Sequence, residues 1–153
     1  CRRQRQMCIR DRYYNDLTVR VPMKKVGLPL ISFSVSAGFP SPADDYTEEN
    51  IDLNEYLIQN PFSTFFIRVK GDSMINSGIQ DQDLIVVDKS IIAKPGDIVI
   101  AIIDERFTVK RLEKKDDIFY LKAENRNYPD LYLKNYSNMQ IWGVVIYSIH
   151  NCR

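Results

Sequence analysis

A chain of 153 residues, 44% of them hydrophobic, holds enough apolar material for one core and too little length for two domains to be expected. Its formal charge of +1 hides an uneven distribution, and its longest apolar run, Ile98 to Ile103, falls far short of the ~20 residues of a spanning helix. Of its 3 cysteines, only Cys152 lies beyond the first turn of sequence at Cys1 and Cys8, and no CxxC or Cys/His cluster offers a metal site, so a reducing, cytoplasmic setting is expected.

The start is unlike the rest. Arg2, Arg3, Arg5, Arg10 and Arg12 stand against Asp11 alone in "CRRQRQMCIRDR", and the codons that would encode it resemble a sequencing-library adapter. Residues 1–12 are therefore set aside as an artefact, with Met23 as the expected start; the alternative is a basic arm that touches nucleic acid. Residues 13–45 read as a flexible, extended arm, because Ser, Pro and Gly interrupt every apolar period. A domain over 46–153 follows. "IDLNEYLIQNP" predicts a short helix with Asp52 as N-cap, apolar Leu53, Tyr56 and Leu57, and a stop at Asn60-Pro61.

From there β-branched and aromatic runs dominate. "STFFIRVK", "DLIVVDK", "GDIVIAIID", "RFTVKRLEK", "IFYLKAE" and "MQIWGVVIYSI" predict strands, separated by the turn signals "KPGD", "DER", "KKDD" and "NYPD". The fold class is mainly β: a compact domain of short, folded-over strands with one short helix. Gly71, Gly78 and Gly96 read as turn residues, and Asp72, Asp81 and Asp83 as a solvated loop rather than a metal site. The aromatic side chains lack interleaved arginines, so they read as core and interface residues and not as base-stacking platforms.

Chemistry is suggested by Ser73, in the polar turn "GDSM" between two strand-like runs. Its usual partner would be a histidine, yet His150 is the 1 histidine present and its sequence neighbours offer nothing to orient it. A neutral lysine is the other candidate base. Neutrality at pH 7 requires desolvation, which disfavours the ammonium form, so the lysine should stand inside an apolar strand. Lys110 in "RFTVKRLEK" does. Alternation places it with Thr108 and Leu112 on one face, and "DIVIAII", joined through "DER", supplies the neighbouring strand that would exclude water.

"SAGFPSPADDY", "IDLNEYLIQNP", "VKGDSMINSGIQDQDLIVVD", "GDIVIA" and "FTVKRL" resemble, in order, the LexA-like self-cleaving serine peptidases, and among them the UmuD-type subunit of the SOS mutagenesis polymerase. The resemblance implies Ser73 as nucleophile, Lys110 as general base, Ala37-Gly38 as the bond cut, and backbone N–H groups of the Gly71-Asp72-Ser73-Met74 turn as oxyanion donors. It implies no cofactor and no metal. It further implies cutting stimulated by a RecA nucleoprotein filament, a homodimeric product, and a catalytic polymerase subunit as partner, with no sequence-specific nucleic-acid binding and no membrane association. Two other readings stay open: a LexA-type or phage-type repressor whose DNA-binding domain is missing, and a secreted β-domain whose "MKKVGLPLISFSVSA" imitates a signal peptide.

Overall fold

Residues 25–32, 34–40 and 48–153 are described by the computed structural model. The arginine-rich segment at 1–12, the expected start at Met23 and the arm residues 13–24, 33 and 41–45 lie outside them. The chain divides into two compact units, Cys1–Asp52 and Leu53–Arg153.

In the first unit, β1 (Leu28–Ile31) pairs antiparallel with β2 (Glu48–Ile51), with Leu28 opposite Ile51 and Ile31 opposite Glu48. The Val26 N–H donates to Asp52 Oδ2 at 3.0 Å and closes the open end of this ribbon. A strand inside the segment read as an arm is a finding that composition does not announce, because Pro29 interrupts its apolar alternation. Ala37 and Gly38 follow in an exposed bend.

The second unit opens with α1 (Leu53–Leu57), shorter than the predicted segment but at the same place. Asn60 then folds the chain back: its carbonyl accepts the N–H groups of Ser63 and Thr64, both at 3.0 Å, and launches β3 (Thr64–Arg68). The remaining strands are β4 (Leu84–Asp88), β5 (Ile98–Ile103), β6 (Arg106–Lys115), β7 (Ile118–Lys122), β8 (Leu131–Tyr132) and β9 (Met139–Ile149). They form one seven-stranded antiparallel sheet in the order β3-β4-β9-β5-β6-β7-β8. All six predicted strands are present in this sheet, where the two-residue β8 is additional.

Both faces of the sheet carry a core. Val69, Met74, Ile79, Ile85, Val87 and Ile100 pack on one side, and Val99, Ala101, Leu112, Leu121 and Val144 on the other. The uninterrupted apolar run of β5 follows directly, since its alternate residues serve opposite clusters. Two tight hairpins set the register around it. Asp104-Glu105 and Asp116-Asp117 all take positive φ, between 46° and 67°, the left-handed geometry that matches the twist of paired strands. Asp104 and Glu105 thereby lock β5 to β6, with Val99 opposite Lys110 and Ala101 opposite Thr108.

Of the three acidic residues read as a solvated loop, Asp72 and Asp81 are exposed as expected and Asp83 departs. Asp83 is only 2% exposed and accepts hydrogen bonds from the Gln80 N–H (2.8 Å) and Ser148 Oγ (3.3 Å) while pairing with His150. Asp81 accepts the Gly71 N–H at 2.6 Å, and Asp72 is held by Tyr128 and Asn125. Among the described residues, no three metal-ligating side chains converge, and no helix is long and apolar enough to cross a membrane.

Candidate active site

Lys110 stands near the middle of β6, where alternation puts its side chain with Thr108 and Leu112. The facing residues on β5, Val99 and Ala101, are fully buried, and Lys110 itself is 7% exposed. Its Nζ lies 3.0 Å from Ser73 Oγ, 2.9 Å from Thr108 Oγ1 and 2.9 Å from the Val109 carbonyl. No carboxylate among the described residues pairs with it. Burial therefore acts unopposed and pushes the Lys110 amine below its ordinary value of 10.5.

This geometry suits a neutral amine. With two N–H bonds committed to Thr108 Oγ1 and the Val109 carbonyl, the lone pair is left facing Ser73, where it can accept the hydroxyl proton.

Ser73 is delivered by a turn that is anchored on both sides. Before it, Gly71 takes φ +98°, a conformation closed to most side chains, and its N–H is fixed by Asp81. After it, Met74 is 2% exposed in the core beside Ile79 and Ile85, and its carbonyl accepts Ser77 N–H and Oγ. Among the described residues, the backbone N–H groups of Ser73 and Met74 donate to no acceptor. They are suited to meet a developing oxyanion.

An open groove of about 440 Å³ begins at Ser73 and runs between Ile67–Lys70 and Phe107–Val109, floored by Ile100 and Trp142. Phe107 stands 63% exposed at its rim, edge-on to Trp142 with ring centroids 5.8 Å apart. This apolar trough beside the serine is the kind of surface an extended peptide can lie along.

Several supports of the site escape sequence reading. Thr108 was expected on the Lys110 face but not as its hydrogen-bond partner. Asn125, Tyr128 and Asp81 had no assigned part, because each acts on the serine turn from a distant or polar loop. His150 also needs correction: it has an orienting partner, Asp83 Oδ1 at 2.7 Å, 67 positions earlier in the chain. That bond ties the end of β9 to the loop ahead of β4. Ala37 and Gly38 lie in the other unit.

Comparison with known proteins gives this arrangement its context. The Peptidase S24-like family model matches residues 29–146. The chain is 51% identical to protein SamA of Salmonella typhimurium over 125 residues, covering 82% of this chain and 86% of that protein. It is 44% identical to protein ImpA of Escherichia coli (82% and 85% covered) and 41% identical to protein MucA of Escherichia coli (80% and 84%). With a family match across most of its length and relatives this similar, the chain belongs to the Peptidase S24-like family of self-cleaving serine peptidases, among the UmuD-type proteins of SOS mutagenesis.

Proposed function

We propose that Ser73 and Lys110 cut the chain's own Ala37-Gly38 bond, and that the cut chain serves an error-prone polymerase. One observation carries the catalytic part: a buried amine without a counter-charge, 3.0 Å from a serine oxygen. Neutral Lys110 takes the Ser73 proton as Oγ bonds to the Ala37 carbonyl carbon. The tetrahedral oxyanion faces the N–H groups of Ser73 and Met74. Collapse breaks the bond to Gly38, whose nitrogen leaves with the proton held by Lys110. Water, deprotonated by the same amine, then hydrolyses the acyl ester at Ser73.

The trigger in this reading is a RecA filament on damaged DNA, acting in the cytoplasm. The product beginning at Gly38 forms a homodimer and joins a catalytic polymerase subunit. These partners follow from the kinship with UmuD-type proteins.

The test is self-cleavage of purified chain, with and without RecA filaments. Ser73→Ala and Lys110→Ala should each remain full length while folding normally, and the parent product should begin at Gly38 by N-terminal sequencing. Gly38→Glu should resist cutting with the pair intact. Cleavage in Ser73→Ala, or a product starting elsewhere, removes this mechanism.

A further inference from the structure

The loop after β7 grips the serine turn on both sides of Ser73. Behind the nucleophile, the Asn76 N–H donates to the Glu124 carbonyl at 2.9 Å. Ahead of it, Asn125 Nδ2 donates to the Asp72 carbonyl at 3.0 Å, and Tyr128 Oη donates to Asp72 Oδ1 at 2.5 Å. The Asn125 amide is itself fixed, since its Oδ1 accepts the Asn127 N–H at 3.0 Å and the Tyr128 N–H closes on the Asn125 carbonyl at 3.1 Å. Its donor end is thereby committed to the serine turn.

The Asp72 carbonyl and the Ser73 N–H belong to the same peptide unit. That unit is planar and trans, so the N–H points opposite to the carbonyl. A donor that holds one end sets the direction of the other. The Asp72 carbonyl has two such donors, Asn125 Nδ2 and the more distant Ile75 N–H at 3.2 Å.

We infer that Asn125, braced by Tyr128, is a positioning residue of the self-cleavage reaction: it aims the Ser73 N–H at the oxyanion by holding the far end of the same peptide plane. The inference rests on the Ser73/Lys110 reading above. Both residues act through the backbone they fix. Asn125→Asp isolates this action. A carboxylate still accepts the Asn127 N–H and preserves the loop, but it cannot donate to Asp72 and repels its side chain.

The experiment is unassisted self-cleavage of the full chain from pH 6 to pH 10.5, together with thermal unfolding of each variant. Asn125→Asp should cut about ten- to a hundredfold more slowly at every pH, below the roughly 10²–10³ of a deleted oxyanion donor. The pH midpoint should match the parent in the uncharged Asn125→Ala, and each variant should remain folded throughout the assay. Tyr128→Phe should show a smaller loss of the same form. A parental rate in Asn125→Asp overturns the inference. So does a slower rate with an upward-moved pH midpoint in Asn125→Ala, which adds no charge, because that pattern means water has reached Lys110 and the loop serves only as packing. If Asn125→Asp does not fold, Asn125→Ala and Tyr128→Phe are judged on the same outcomes. Ser73→Ala and Lys110→Ala run alongside: cutting in either defeats the dyad reading, whereas dead controls beside an unimpaired Asn125→Asp defeat only this inference.

Discussion

At Lys110, function and stability pull against each other, and pH reports both. Burial favours the neutral amine, so the folded chain gives up this proton at lower pH than the unfolded chain, whose lysine titrates near 10.5. Unassisted cleavage should therefore rise with pH by up to about tenfold per unit, levelling once the amine is neutral. Lys110→Arg should be inactive across that range, since a guanidinium does not deprotonate, and His150→Ala should follow the parent curve. A rate that disappears in His150→Ala would point to the imidazole instead. The sign for stability runs the same way. Between the lowered folded value and 10.5 the unfolded chain binds more protons, so parent stability relative to Lys110→Met should climb with pH. Urea unfolding of both proteins at pH 7, 8.5 and 10 measures that difference. Lys110 was legible as a residue because a charged side chain inside an apolar strand breaks a local rule. Asn125 and Tyr128 were not, since asparagine and tyrosine in a polar loop break none, and their meaning lies in a turn more than fifty positions away.

Among the elements, β9 carries the tightest constraint. It crosses between β4 and β5 with register shifts at Val86/Val87 and Ile100/Ala101. Gly143 lies at this crossing, where an added Cβ would come within 2.6 Å of Val87 Cγ1 and 3.3 Å of the Asp88 carbonyl. Gly143→Val should destabilise the domain by about 1–3 kcal/mol, the usual cost of overfilling a packed site, readable by urea denaturation. The loss should leave the pH midpoint of cleavage where it was while the chain remains folded. Strand positions were readable from "DLIVVDK" or "MQIWGVVIYSI" because apolar β-branched runs bounded by turns have few other uses. The pairing order was not. Alternation cannot reveal that the last strand inserts between β4 and β5, and Leu131-Tyr132 is too short to show a period at all.

For the whole molecule, acid sensitivity has an identifiable source. Burial alone would raise the Asp88 carboxyl, but hydrogen bonds from Asn60, Ser90 and Ser63 outweigh it and bring it from 3.8 to about 2. A lowered value means stability present above 3.8 and lost as pH falls toward 2. The contribution is roughly 2 kcal/mol, at about 1.4 kcal/mol per unit. Asp88→Asn should therefore be less stable by about that amount at pH 7, with the gap from the parent closing in urea titrations near pH 2. A further consequence concerns time. Ser73 and Lys110 meet within Leu53–Arg153, without waiting for anything to be built. In the proposed reaction each molecule acts once and irreversibly, so the chain keeps time like a decaying isotope: its half-life is set by how often the bond is presented to a finished blade. A stimulus that raises that frequency tenfold, worth about 1.4 kcal/mol, shortens the wait tenfold while leaving the chemical step untouched.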